Sequence, residues 1–230
     1  MSEKIERLKR AIKVGLLTGQ TQVDRIRLRS RNGQPPLILF LGDSRAKAWP
    51  APALSHPAIF LNRGVGFDTS RQVLQRLSAH VTPLRPQIVL LQAGINDCKA
   101  LLLAPPNHAI MVQETLATLR QIAEQICEVG AHLVLTTIFP VAAPNTGSNA
   151  FWGANQPDAA ARVRDAVAQI NRGLMALNAA DITIFDAAPL LQNTDGWLDP
   201  AYARDELHIN TAGYQKLNQV LGPLLQNIAT

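Results

Sequence analysis

A serine, a histidine and a carboxylate can together make a hydroxyl nucleophilic, and this sequence carries all three at informative places. Ser44 stands in Gly42-Asp43-Ser44, directly after the apolar run at 37–41, LILFL. A serine hydroxyl is a poor nucleophile until a base removes its proton. His208 can be that base near neutral pH. Asp205, three residues earlier in Asp205-Glu206-Leu207-His208, is close enough to hold the ring in one tautomer. In isolation the same four residues also read as a polar loop ahead of a helix. Gly94-Ile95-Asn96-Asp97 closes a second apolar run, IVLLQA. An Asn amide there could donate to a developing oxyanion, although Gly, Asn and Asp equally suit a plain turn. A third segment, Asn62-Arg63-Gly64-Val65-Gly66-Phe67-Asp68-Thr69-Ser70, has spaced glycines that let the backbone approach a ligand. Asp68 or Thr69 in it could also cap a helix.

These residues need a scaffold to bring them together. Five short, near-continuous apolar runs at 37–41, 58–62, 87–92, 132–138 and 181–185 fit parallel strands covered on both faces. Helical stretches separate them. One is expected over 69–80. A second, over 108–129, repeats Leu116, Leu119, Ile122, Ile126 and Val129 and stops at Gly130. A third, over 157–178, opens with Pro157 and repeats Val163, Val167, Ile170, Leu174 and Leu177. A last helix follows a cap at Asn210 or Thr211, and Gly222-Pro223 should kink or shorten it. The alternation predicts an α/β fold: a three-layer α/β/α sandwich around a central five-stranded parallel sheet, with right-handed crossovers. That domain would occupy residues 37–230, behind an N-terminal arm of residues 1–36. In such sheets, reactive groups gather at the carboxyl ends of the strands. Two long loops, 140–156 and 187–209, belong to that same end.

The chain of 230 residues is 47% hydrophobic and 17% charged, which makes it globular and large enough for one well-buried core. No apolar run approaches the roughly 18 residues that cross a bilayer. The N-terminus lacks a signal-peptide core, so a cytoplasmic location is expected. Cys98 and Cys127 make no disulfide framework, the five histidines are scattered, and neither metal nor cofactor is expected. The net charge is +5, and residues 1–31 hold nine Lys/Arg against three Asp/Glu, leaving 13 against 14 in the rest. The basicity therefore belongs to the arm, which argues against a nucleic-acid binder with a basic fold. Within 3–18, Ile5, Leu8, Ile12 and Leu16 share one helical face, with Lys4, Arg7, Lys9, Arg10 and Lys13 around the others. That stripe is expected to pack on the domain; the alternative is a membrane-surface or protein contact through residues 1–31. Residues 25–31, RIRLRSR, read as an edge strand or extended linker.

In order along the chain, LGDSRAKAW, NRGVGFDTS, AGIND and DELH resemble the four blocks of the SGNH hydrolases, the GDSL-like esterase/lipase family, over about residues 37–220. The second block looks particularly like the catalytic subunits of intracellular platelet-activating-factor acetylhydrolase and their bacterial relatives. The resemblance implies a flavodoxin-like SGNH hydrolase fold. It also implies a cofactor-free serine esterase acting on a small-molecule ester, with a short, acetyl-type acyl group. By position, Ser44 resembles the nucleophile, His208 the base and Asp205 the carboxylate that orients it. The oxyanion hole would use the Ser44 N–H, the Asn96 side chain and a backbone N–H from the second block. The family's oxyanion glycine aligns with Phe67, one residue after Gly66; a main-chain N–H does not require glycine, but a phenyl ring there should narrow the acyl site. Arg45, Gly66, Phe151 and Trp152 are candidates on the substrate side, with solvent as the other destination for Arg45. Trp49 and Trp197 could line an acyl- or sugar-binding wall or pack in the core. Cys98 could be a reactive thiol or a small apolar residue. Asp43 and Asp97 should brace their turns. Two other readings remain: an O-acyltransferase or deacetylase working on a saccharide, and a non-catalytic binding protein on the same fold.

Overall fold

All six residues of β1, Leu37–Gly42, are buried. This explains the unbroken apolar run, since a central parallel strand has no solvent face to alternate with. The computed structural model describes residues 2–28, 34–99, 108–144, 157–177 and 179–229. Four further strands, β2 (Ile59–Gly64), β3 (Ile88–Gln92), β4 (His132–Thr136) and β5 (Ile182–Phe185), join β1 in one sheet. Every pairing is parallel, in the order β2-β1-β3-β4-β5, with Leu39 opposite both Leu61 and Val89. The helices are α1 (Ser2–Arg27), α2 (Ser44–Ala48), α3 (Ser70–Leu74) and α4 (Leu77–His80), then α5 (His108–Glu128), α6 (Pro157–Met175), α7 (Ala188–Leu191) and α8 (Thr211–Ala229).

Side chains leave a strand alternately on its two sides. Leu37, Leu39 and Leu41 therefore enter one core, with Val73, Leu77, Leu119, Ile122, Val163 and Ile170 from α3–α6. Ile38 and Phe40 enter the other, with Trp49, Phe139 and Phe185 and with Leu191, Tyr214, Leu217 and Leu221 from α7 and α8. The result is the expected three-layer sandwich around a five-stranded parallel sheet.

Several boundaries differ from expectation. The helix expected over 69–80 is two short ones, because Arg76 between them leaves helical geometry at φ −110°, ψ 6°. β4 ends at Thr136, where the sequence suggested 138: the N–H and C=O of Ile138 are taken by the amide of Asn171 instead of a neighbouring strand. The last helix is not shortened at Pro223 but runs on to Ala229. Asn210 begins it, its side-chain oxygen accepting the N–H of Gly213 at 3.0 Å.

The N-terminal helix brings two corrections. It continues through residues 25–27, where the alternation of Arg with Ile, Leu and Ser suggests a strand or linker, and the Leu28 N–H still bonds the Asp24 carbonyl at 2.9 Å. Its apolar stripe does not pack on the domain. Ile5, Leu8, Ile12 and Leu16 are exposed, and the polar side of the helix faces the body. Arg10 Nε donates to Asp68 at 2.6 Å, Thr18 Oγ1 lies 3.0 Å from His80 Nε2, and Arg63 donates to both Thr21 and Asp24. The body surface beneath α1 presents Arg63, Asp68 and His80. An apolar stripe laid over them would leave buried polar groups unpaired, at about 1–3 kcal/mol each. Among the described residues, no helix is long and apolar enough to cross a membrane.

Candidate active site

The strand order places β2 on one side of β1 and β3, β4 and β5 on the other. Winding therefore reverses at β1, and the carboxyl ends of β1 and β3 mark the switch point at which sheets of this kind place their ligands. Ser44 follows β1, Asn96 follows β3, and the Gly66–Phe67–Asp68 loop follows β2. At Gly42 the backbone has φ +143°, and a Cβ there would lie 1.8 Å from the Gln92 carbonyl oxygen. Only glycine lets β1 press on β3 while turning the chain into α2. Asp43 caps that helix, its Oδ1 accepting the Arg45 N–H at 2.8 Å, and Ser44 is its first residue.

Ser44 Oγ lies 2.8 Å from His208 Nε2. His208 Nδ1 lies 2.8 and 2.9 Å from the two carboxylate oxygens of Asp205. Asp205 Oδ1 also accepts the backbone N–H groups of Leu207 at 2.9 Å and His208 at 2.8 Å. The one loop thus fixes carboxylate and ring together, which is why a separation of three residues suffices. With Nδ1–H given to Asp205, Nε2 is the acceptor for the Ser44 hydroxyl. Burial holds the His208 imidazole below its ordinary 6.5, against the opposing pull of Asp205. Burial pushes Asp205 upward, but the Leu207 and His208 N–H groups and the imidazole outweigh it, and its carboxyl sits below the usual range. A neutral ring beside an ionised carboxylate is the pair a general base requires. Asp43, in contrast, is fully buried and pushed up to about 7.

Asn96 is nearly buried, and its Nδ2 donates to the Asp68 carbonyl at 3.0 Å, which aims the amide along the loop after β2. In that loop Gly66 adjoins the serine: a Cβ there would stand 3.9 Å from Ser44 Cβ. Phe67 has φ 67°, a left-handed conformation uncommon for a bulky residue, and its side chain is 58% exposed. The loop is held from several directions. Asp68 accepts Arg10 at 2.6 Å and Arg76 at 2.7 Å, and Arg76 also donates to the Gly42 carbonyl at 2.8 Å. Asp97 accepts the Ser70 hydroxyl at 2.6 Å and the Ser70 N–H at 2.9 Å, tying the Asn96 turn to the start of α3. Thr69, not Asp68, caps α3, in a reciprocal box with Gln72. Nothing local in the sequence signals the grip of Arg10 and Arg76 on Asp68, because its partners lie 58 and 8 residues away.

Arg45 requires correction. It faces neither substrate nor solvent: its exposure is 0%. Its guanidinium donates to the carbonyls of Leu207 at 2.8 Å, Phe139 at 3.0 Å and Pro140 at 3.4 Å, and it lies 5.4 Å from the Phe139 ring centre. It joins the serine's helix to the histidine's loop from beneath. Cys98 is buried, and burial pushes its thiol up to about 12, so it stays protonated and packs as a small apolar residue. Trp49 belongs to the core beside Phe139 and Tyr214. Trp197 lies beneath the Arg164 guanidinium, 4.6 Å from ring centre to carbon. Phe151 and Trp152 lie outside the described residues. Among the described residues, no three His, Cys, Asp or Glu side chains converge as metal ligands would.

The sheet order defines the class, a flavodoxin-like α/β fold, and at its switch point Ser44, His208 and Asp205 stand in one run of contacts. The chain belongs to the GDSL-like lipase/acylhydrolase family, whose sequence model matches residues 33–216. A search of curated proteins finds no match. Among solved structures, a Streptococcus pneumonia protein provisionally described as a platelet activating factor is similar at TM-score 0.71 and 21% identity, over 98% of each chain. A GDSL-like lipase from Bacteroides thetaiotaomicron is similar at 0.66 and 20%, over 91% of this chain and 97% of that one. A catalytic mutant of an acetylxylan esterase from Geobacillus stearothermophilus is similar at 0.54 and 20%, over 84% and 94%. At these identities the likeness is one of fold.

Proposed function

We propose that this protein is a metal- and cofactor-independent serine esterase that hydrolyses short-acyl, acetyl-type carboxylic esters through an acyl-enzyme. The observation carrying this reading is the unbroken path from Asp205 through His208 to Ser44, with 2.8 Å at each link. Ser44 Oγ attacks the ester carbonyl as His208 Nε2 takes its proton, and the carbonyl π electrons move onto oxygen. The oxyanion is met by the Ser44 N–H at the start of α2, by Asn96 Nδ2 and by a main-chain N–H at Phe67. The tetrahedral intermediate collapses, the C–O bond to the alcohol breaks, and His208 returns the proton to that oxygen. Water, deprotonated by His208, then attacks the acyl carbonyl; the bond from the acyl carbon to Ser44 Oγ breaks, His208 returns the proton to Oγ, and the carboxylic acid leaves. The phenyl ring of Phe67, on the loop beside Ser44, favours a small acyl group. The likeness to an acetylxylan esterase agrees with this preference and supports a second reading, in which the alcohol portion is a sugar hydroxyl. If an acceptor sugar intercepts the acyl-enzyme, the same site performs acyl transfer, and product analysis with and without that sugar separates the two. A purely binding role fits poorly with a serine hydroxyl held on an oriented histidine.

A p-nitrophenyl ester series from acetate to laurate tests the reading, with the fastest turnover expected on acetate. Asn96→Ala should lower kcat by about 100- to 1000-fold, the usual cost of one oxyanion donor, with KM little changed. Full activity in that variant would remove Asn96 from the mechanism. The acid limb of kcat/KM should have its midpoint below 6.5, because hydrolysis needs the neutral ring and burial holds the His208 imidazole below that value. Rates therefore fall as pH drops through that midpoint and stay level above it until another group titrates; a midpoint above 6.5 would contradict His208 as the base.

A further inference from the structure

The amphipathic N-terminal helix is mounted with its polar side inward. Six of the ten large apolar side chains exposed among the described residues lie on it: Ile5 (45%), Leu8 (62%), Ile12 (56%), Leu16 (70%), Val23 (42%) and Ile26 (63%). At 3.6 residues per turn these six fall within a sector of about 80°. Gly15 and Gly19 extend the same strip, and a Cβ built on either would meet nothing within 4 Å. Among the described residues, nothing covers the strip from one end of the helix to the other. A contiguous apolar strip rimmed by polar residues marks an interaction surface.

Charge identifies what covers it. Residues 1–31 carry nine Lys/Arg and three Asp/Glu, while the rest of the chain is nearly neutral. Exposed Lys4, Arg25 and Arg27 share the helix with the strip, whereas Asp24 turns inward to Arg63. Two copies pairing through the strip would bring exposed cations of the same helix, Lys4, Arg25 and Arg27, towards one another, where specific helix pairing sets opposite charges face to face. An anionic lipid surface instead accepts the apolar side chains below its headgroups and the cations among its phosphates.

We propose that α1 docks the protein on an anionic bilayer surface, lying in the interface with Ile5, Leu8, Ile12, Leu16, Val23 and Ile26 inserted. The inward side stays engaged, and through Arg10 it remains bonded to Asp68, the residue after Phe67. Docking would thus hold the loop beside Ser44 close to the membrane.

The test is co-sedimentation of the full chain with phosphatidylcholine vesicles, with and without phosphatidylglycerol. The expected result is binding at least about tenfold stronger with phosphatidylglycerol, weakened by added salt. Binding should be lost in Leu8→Asp/Leu16→Asp. Both side chains are exposed, so that variant should melt like the wild type and hydrolyse soluble p-nitrophenyl acetate at the same rate. The docking readout thereby stays separate from the esterase reading. Equal binding to both vesicle types, or unchanged binding by the double variant, overturns the proposal. So does a concentration-dependent dimer that Leu16→Asp dissociates, which would assign the strip to a second copy of the chain.

Discussion

Ser44→Ala is expected to lower kcat on p-nitrophenyl acetate by about 10⁴- to 10⁶-fold, the range seen when a hydroxyl nucleophile is removed from a serine–histidine–aspartate site. The size follows from what is lost. Without Oγ no acyl-enzyme forms, and what survives is orientation and oxyanion stabilisation acting on direct attack by water. The fold should not respond. Ser44 Oγ bonds His208, the Asp43 cap engages the Arg45 N–H, and alanine suits the first turn of a helix. The melting temperature should therefore stay within about 2 °C of wild type. A fluorophosphonate probe should label wild type at Ser44 and leave the variant unlabelled. Retention of more than about a tenth of the activity would require another nucleophile, and Cys98, buried and protonated, is not positioned to be one.

The parts of the site that were legible in the sequence are those settled within a few residues. Asp205 and His208 share one loop, so their spacing already implies their contact. The apolar run ending at Gly42-Asp43-Ser44 already implies a buried strand that stops at a reactive serine. The strand order that puts Asn96 beside Ser44 is a property of the whole sheet, and the strand runs establish only that such a sheet exists. What stayed hidden depends on distant partners. An amphipathic pattern in residues 3–18 says that the two sides of a helix differ, but not which side turns inward. That was decided by Arg63, Asp68 and His80 on the body, whose polar groups take up Arg10, Thr18, Thr21 and Asp24. Phe67 shows the converse. The resemblance in sequence implies a glycine at this position, and the Phe67 backbone takes a glycine-like φ of 67°, at a cost of order 1 kcal/mol. The loop is held in that shape from outside by the two arginines on Asp68.

Arg45→Met is expected to lower stability by about 3–5 kcal/mol and, through a different route, to shift the pH dependence of hydrolysis. A charge just after a serine in a short helix reads as surface, because arginine is seldom fully buried. Here its three carbonyl partners come from residues 139, 140 and 207, far along the chain. Methionine fills much of the space and removes the cost of burying a charge, but it leaves the Phe139, Pro140 and Leu207 carbonyls without their donor, at about 1–3 kcal/mol for each one that stays unsatisfied. Arg45→Lys should lose less, since an ammonium can reach some of these oxygens but cannot present the planar fork. Loss of the Leu207 tether loosens the loop beside His208, so kcat should fall about tenfold under conditions where the variant is folded, a loss of roughly 1.4 kcal/mol in transition-state stabilisation. A merely structural role would stop there. The Arg45 charge also disfavours the protonated His208 ring. Its removal should therefore raise the His208 pKa and carry the acid limb of kcat/KM to higher pH in Arg45→Met, while Arg45→Lys, which keeps the charge, leaves the limb near its wild-type position. Stability within about 1 kcal/mol of wild type, together with an unmoved limb in Arg45→Met, would show that the buried guanidinium neither holds the two halves of the site together nor biases its base.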